Sequence, residues 1–550
     1  MTVTVVDARL VLADLRSARR RHRVEDFDWV GALYRVYVTA ILGIVVVLIA
    51  SNAIGDRDVS EKGLADFARH GPAVLGLVTA VALAIGLRSG SRGGPFALEA
   101  AEVRHVLLAP IERTRALRGP AIRILRFIVF AGAIVGALAG VLASRRLPHS
   151  SFAWVGAGAT YGIVTTASAI GIALVAGGRR LSRPLASLLA LLFIGWAALD
   201  VSRVIPSPFR FVGEVALWPM HLHAVDLIAA AAAALLTFVG VLGVGGYRIE
   251  DAERRTGLVG QIRFAATMQD LRTVIVLRRQ LAFEQLRRRR WFGRQNPRRR
   301  PRSALGIVWR RDMQGISRFP LVRIVRMLVL ASAAALALRG VWHGTTPLAL
   351  AAAAALLLVA YDAAEPLAQE IDHSERADLV PVERGLLEAR HLPSIAITML
   401  IVSAAGMGVA VAIEHTMAAF TLGLIALVPA ALCAASGAVV SVALAPPEPF
   451  KDGQLLPPEV AGVKIVVRAA WPLIVSLLGT APVIAASKAS RATPPAPPHA
   501  LAATAAVFTL LPIAFTVAWL RFREPAKAWW REMIDQTSQQ SKARARARTT

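Results

Sequence analysis

Apolar runs about twenty residues long recur from one end of this chain to the other, and that pattern leaves few folds open. Roughly 20 apolar residues in helix cross a bilayer's hydrocarbon core, and in lipid the backbone must satisfy its own hydrogen bonds, which a helix does within one segment. Twelve such runs can be read: 36–54, 72–87, 125–143, 152–177, 184–201 and 224–245, then 325–338, 347–361, 394–413, 417–444, 463–486 and 501–520. With 550 residues, 55% of them hydrophobic, the chain carries more apolar length than a water-soluble core absorbs. The expected fold is an all-α polytopic membrane protein of about twelve transmembrane helices, arranged as two six-helix units.

The net charge of +27 is mostly arginine, and its distribution orients the spans. Loops after the second, fourth and sixth runs carry Arg104, Arg113, Arg115, Arg118 and Arg123, then Arg179, Arg180 and Arg183, then a dense series across 248–326. The remaining loops are short or lack a strong positive excess, with Arg145-Arg146 the main exception. By the positive-inside rule both termini are cytoplasmic, in a multi-pass protein of the plasma membrane. Residues 1–30 are charged and the first apolar run, from near Val36, carries no small-residue cleavage site, so no secretory leader is expected.

The organisation that follows is a lead-in and interfacial elbow helix (1–35), a first six-helix unit (36–246), a basic cytoplasmic linker (247–323), a second six-helix unit (324–520) and a basic tail (521–550). Within the linker, 257–286 has the apolar spacing of an amphipathic helix. Next comes RRRRWFGRQNPRRRPR, which Pro297 and Pro301 keep from being one helix. Anionic lipid headgroups are its expected partner; nucleic acid is not, because no recognition fold accompanies the run. The tail reads as an amphipathic start at Trp529 and Trp530 followed by polar disorder. Between the fifth and sixth runs, Pro206, Pro208 and Pro219 break an apolar segment suited to short re-entrant or interfacial helices.

A second pattern lies across the first. Residues 95–113 read PFALEAAEVRHVLLAPIER and residues 366–384 read PLAQEIDHSERADLVPVER. Without a gap, identities fall at Pro95/Pro366, Ala97/Ala368, Glu99/Glu370, Leu108/Leu379, Pro110/Pro381, Glu112/Glu383 and Arg113/Arg384, with conservative matches at Phe96/Leu367 and Ile111/Val382. Every pair is 366 − 95 = 271 residues apart, which argues for an internal duplication. The shared ending has a plain structural reading: proline at the first position of a short cytoplasmic helix, with a glutamate two residues on meeting the positive end of its dipole.

Other chemistry is sparse. There is no G-x-x-x-x-G-K-[ST] phosphate loop, nucleophile elbow or H-E-x-x-H pattern. The single thiol, Cys433, sits in an apolar run. His221-x-His223 lacks a third ligand beyond the nearby Asp226 and reads as interfacial polarity. Asp200 and Asp226 fall near span ends, where water is expected to solvate them.

An L-x-P-[IV]-x-R element between the second and third of six spans resembles the permease subunit of ABC-2-type exporters, as do the elbow before the first span and the proline-broken segment before the sixth. The resemblance implies two six-span units fused in one chain, where the family usually has one per chain. It implies that the duplicated elements are coupling helices, docking a pair of separate ABC-type ATPase subunits. Leu108, Pro110, Ile111, Glu112, Arg113 and Leu117 would form the first docking surface. Leu379, Pro381, Val382, Glu383, Arg384 and Leu387 would form the second, with Arg179–Arg183 as a secondary contact. No cofactor is expected on this chain; ATP and Mg would be handled by the partner. Two other classes stay open on the sequence: a 6+6 secondary carrier, and a membrane scaffold or enzyme.

Overall fold

The computed structural model describes residues 59, 61–94, 112–221, 223–247, 303–372, 382–444 and 470–549. Among these, the regular structure is helical throughout. The chain divides into two compact units, Met1–Phe264 and Ala265–Thr550, so the boundary falls inside the basic linker.

Unit 1 contains α1 (Glu61–Gly90), α2 (Arg113–Ala143), α3 (Ser151–Gly178), α4 (Arg183–Val201), the short α5 (Arg210–Val215) and α6 (Leu227–Leu242), the last flanked by 3-10 turns at Ala224–Asp226 and Gly243–Gly246. Local chemistry sets several of these ends. The Ser150 side chain caps α3 by accepting from the Ala153 N–H at 3.3 Å. Pro184 opens α4, where its missing N–H costs nothing. Helix α3 is the axis of the unit, with α2, α6 and α1 packed around it. Its contact with α2 is a glycine seam: a Cβ on Gly136 would lie 2.0 Å from the Gly158 oxygen, and one on Gly162 2.0 Å from the Gly132 oxygen. Such close backbone approach replaces the hydrophobic drive that lipid cannot supply between helices. The proline-broken segment lies against α1, for a Cβ on Gly213 would come 2.1 Å from the Pro72 oxygen.

Unit 2 contains α7 (Ala304–Ile316), α8 (Leu321–Trp342), α9 (Leu348–Ala363), α10 (Glu365–Asp372), α11 (Arg384–Ala389), α12 (Leu392–Glu414), α13 (Met417–Ala443), α14 (Ala470–Leu478), α15 (Ala481–Ala489), α16 (Pro498–Phe508) and α17 (Leu510–Thr549). Ser303 and Thr416 cap α7 and α13 through their side-chain oxygens, and α12 stops at His415, in the left-handed region at φ 52. The core is built from small side chains such as Ala352, Ala360, Ala430 and Ala434, filled in by Leu367, Ile395 and Met399. Outward faces of both units are apolar, Phe130, Leu191, Ile401 and Phe515 among them.

Among the described residues, 9 helices are long and apolar enough to cross a membrane, or up to 11 if two bent pairs each count as one span. Those pairs are α9 with α10, bent by 57°, and α14 with α15, bent by 48°. The protein is thus a helical, multi-pass membrane protein by length and composition. The expected first span, 36–54, the elbow before it and the amphipathic 257–286 lie outside the described residues.

Four expectations are corrected. The loop expected at 55–71 is helical from Glu61, and Pro72 is accommodated inside α1. The third span starts at Arg113, well before the apolar run, because its first turns pack Ala116, Leu117 and Ala121 into the unit. The tail is helical to Thr549 instead of disordered, in keeping with the helix-forming Ala, Arg, Lys and Gln that dominate it. Asp200 and Asp226 are buried, not solvated; the Ser207 hydroxyl donates to Asp200 at 2.9 Å and the His223 N–H to Asp226 at 3.0 Å.

The duplication interval recurs in helix starts. Arg113 and Arg384 are 384 − 113 = 271 apart, Arg210 and Ala481 are 481 − 210 = 271 apart, and Leu227 and Pro498 are 498 − 227 = 271 apart. The segments Arg113–Ala143 and Arg384–Glu414 are both 31 residues long.

Candidate functional site

The duplicated stretch ends, in both copies, at the N-cap of a helix. Glu112 (φ −57, ψ 114) caps α2 and Glu383 (φ −51, ψ 132) caps α11, and neither side chain bonds the helix backbone. The helices therefore begin three residues beyond Pro110 and Pro381, so proline does not occupy the first helical position as the sequence had suggested. Leu108, Pro110, Ile111, Leu379 and Pro381 lie outside the described residues.

The first copy presents its charges freely. Glu112 and Arg113 are exposed, and Glu112 makes an i,i+3 pair with Arg115 at 2.7 Å, both ends half-exposed. Leu117 points the other way, into a buried cluster with Ala121, Ile170, Leu174, Val244 and Tyr247. From here α2 runs unbroken. In the second copy Pro393 removes an N–H and crowds the carbonyl of Ala389, and the helix breaks at Arg390 and His391 before resuming as α12. Only this copy has the short separate helix expected of both.

That short helix is clamped. Glu383 pairs with Arg521 at 2.6 Å, and Gly385 lies against the carbonyls of Leu520 and Arg521. Leu387 packs on Val308 of α7, with Val382 at the edge of the contact. Glu388 is buried with Arg523, 2.5 Å away, whose other nitrogen donates to the Ala443 carbonyl at 2.7 Å. Arg384 is exposed. One turn on, His391 Nδ1 sits 2.8 Å from Asp312 Oδ2, and the Ser394 hydroxyl donates to the same oxygen at 2.6 Å. All three residues are buried. This is an Asp–His–Ser set without nucleophile geometry, since the serine bonds the aspartate and not the imidazole. It ties α7 to the start of α12.

The same end of unit 2 holds further ion pairs. Arg323 bridges Asp362 and Glu365 at 3.0 Å each, Arg326 joins Asp362 at 2.5 Å, and Arg311 pairs with the buried Glu370 of the duplicated stretch. Arginines 311, 323 and 326 were read from sequence only as orientation signals. The partners lie 36 to 59 residues apart in sequence, and no local pattern connects them. The secondary contact has one built feature: Arg180 Nε donates to the Gly246 carbonyl at 2.8 Å.

In unit 1, Glu214 of α5 pairs with Arg210 at 3.2 Å. Burial, reinforced by the neighbouring Asp226, holds the Glu214 carboxyl above the ordinary carboxylate range. The His221 and His223 rings lie 5.5 Å apart between centroids, tilted by 58°, and no cluster of three or more metal-ligating side chains occurs among the described residues. No family model, curated protein or solved structure matches the chain.

Proposed function

We propose that this chain is the transmembrane permease subunit of an ATP-driven exporter of the ABC-2 type. Two six-helix units are fused, with twelve spans in all, and both termini and both duplicated stretches face the cytoplasm of the plasma membrane. A pair of separate ATPase subunits binds ATP and Mg and docks on the two helix starts. Their closure moves the docked elements, and each six-helix unit follows by rigid-body rocking, so access alternates between the two sides. The basic linker rests on anionic headgroups.

The observation that carries this reading is the pair of exposed acid–base steps, Glu112-Arg113 and Glu383-Arg384, each capping a 31-residue helical segment at the same 271-residue interval. In the first copy a long unbroken helix begins at the docking surface and transmits a push along its axis; in the second the push passes through the short helix Arg384–Ala389 to the helix that follows it. Leu117 and Leu387, being buried, would anchor the handles from inside, leaving the contact itself to the charged residues and Val382.

The test is charge reversal at Glu112/Arg113 and at Glu383/Arg384 in the full chain, followed by co-purification with candidate ATPases and by transport. Loss of ATPase association with retained membrane insertion is expected. Association and transport that survive all four reversals would remove the docking assignment. Uptake driven by an ion gradient without ATP would favour a secondary carrier instead.

A further inference from the structure

The proline-broken segment of unit 1 carries acids that docking does not use. Asp226 closes the 3-10 turn Ala224–Asp226, and its side chain is 1% exposed. Its Oδ2 accepts from the His223 N–H at 3.0 Å, but its Oδ1 is buried without a hydrogen-bond partner. A buried carboxylate oxygen left this way is costly. Beside it stands Glu214 of α5, close enough for the two carboxyls to hydrogen-bond once one is protonated. Glu214 takes the Arg210 Nε on its Oε1 at 3.2 Å, which leaves Oε2 to carry a proton. The titratable groups on the elements around α5 have partners of their own. Tyr161 of α3 donates to the Leu75 carbonyl at 2.8 Å, and His70, the nearest such group on α1, is bonded to Arg203. His223 lies 3.9 Å from Asp226 but is 66% exposed, and α6 has no titratable side chain. At the far end of α6, Gly245 and Gly246 lie by Thr114 and Gly178, so the acids sit at the end of unit 1 away from Glu112. At the duplication interval Glu214 corresponds to Ala485 (485 − 214 = 271) and Asp226 to Pro497 (497 − 226 = 271), so unit 2 has neither acid there.

We propose that Glu214 and Asp226 bind one proton between them, and that this proton clasps α5 to the start of α6. Glu214 carries it, and the O–H so formed is the donor that Asp226 Oδ1 lacks. A hydrogen bond from a carboxyl to a carboxylate is charge-assisted and roughly twice as strong as a neutral one. With the proton in place, the two acids and Arg210 sum to zero charge. Without it, two negative charges face each other in a largely buried site with one cation to offset them, and two carboxylates so placed resist ionising together. As pH rises the Glu214 O–H gives its proton to water at that end of the unit, and α5 loses its bond to the turn. The pair titrates as a unit, with apparent values that belong to both acids. It exchanges protons at the end of unit 1 away from the first docking surface, and it needs no ATPase.

Infrared difference spectra of the purified full-length chain in detergent, recorded as pH is stepped upward from about 4, test this. The carbonyl stretch of a protonated carboxylic acid should persist well above the ordinary carboxylate range and be absent in Glu214→Gln. Asp226→Asn removes the facing charge and should move the loss of that stretch down by about one pH unit or more. Arg210→Gln removes the opposing cation and should move it up. Unfolding would return Glu214 to the ordinary range, so an upward shift is not a product of damage. A carboxyl bonded to a carboxylate also absorbs at lower frequency than one buried alone, a readout of the native chain that needs no variant at Asp226. The proposal is overturned if Glu214→Gln leaves the spectra unchanged, or if the native stretch has the frequency of an unbonded carboxyl. It is equally overturned if Asp226→Asn, with its unfolding midpoint kept, loses the stretch at the native pH, or if the Asp226→Asn and Arg210→Gln shifts have the same sign.

Discussion

Glu388 and Arg523 meet at 2.5 Å with side chains only 3% and 7% exposed, joining the short helix α11 to α17. Burying two charges is costly, and the pair offsets that cost only while both members are present. Glu388→Ala or Arg523→Ala alone should therefore destabilise unit 2, by up to about 3–5 kcal/mol, since each removes the closest partner of a buried charge; Arg523 keeps Glu524 at 3.4 Å and the Ala443 carbonyl at 2.7 Å. The double change Glu388→Leu/Arg523→Leu should cost much less. The chain's one thiol, Cys433, is fully buried in the same unit, so its labelling rate reports the opening of that unit. Labelling that is equally fast in the single and double variants would show that the charge balance is not what holds α11.

Asp312 makes a different prediction, because it serves two donors at once. Removing it as Asp312→Ala leaves the buried His391 imidazole without this partner, at about 1–3 kcal/mol, while the Ser394 hydroxyl keeps the His391 carbonyl as its acceptor at 2.7 Å. Asp312→Asn keeps an acceptor and should cost distinctly less. Thermal unfolding of the two variants side by side decides the matter. Equal midpoints would mean that α7 is held to α12 by its apolar contacts and not by this oxygen.

Much of this fold is legible in the sequence, and the reasons differ by element. Apolar run length located α3, α4, α6 and α13 closely, because a helix that crosses lipid must be apolar for nearly its whole length. It failed at Arg113 and Glu61, where the helix continues past the apolar run on contacts that hydropathy does not register. The duplicated stretch located the helix starts at Glu112 and Glu383 but not their surroundings. That Glu388 would meet Arg523, or Asp312 meet His391, depends on elements 135 and 79 residues away in sequence, which no local pattern connects. Gly132, Gly136, Gly158 and Gly162 stand in the sequence as ordinary span residues; which glycines face each other is a matter of helix rotation.

The seam itself can be tested with a pair of substitutions. Gly136→Val forces a side chain into the α3 backbone, where even a Cβ would lie 2.0 Å from the Gly158 oxygen. Overpacking of this kind costs about 1–3 kcal/mol or more, and here it must also spread α2 from α3. Gly408→Ala, by contrast, meets nothing within 4 Å and should be neutral or stabilising by up to about 1 kcal/mol through helix propensity. Disulfide crosslinking between engineered cysteines on α2 and α3 should fall in Gly136→Val. If crosslinking is unchanged, the helices are held together elsewhere.

Glu214 gives stability in unit 1 a pH dependence of definite sign. Its carboxyl is raised, first by burial and then by Asp226, with Arg210 acting weakly against both. Below the unfolded chain's carboxyl value, about 4.3, the group is protonated in both states and folding suffers no penalty. As pH rises towards the raised folded value, the unfolded chain loses a proton that the folded chain still holds, so stability declines across that window and then levels off. Glu214→Gln cannot ionise and escapes this decline. The variant's unfolding midpoint relative to the native chain should therefore improve between pH 4 and pH 7, measured by thermal unfolding in detergent at several values across that range. A gap that stays constant with pH would mean that Glu214 titrates in the folded protein as it does in the unfolded chain, and that the Arg210 pair fully offsets its burial.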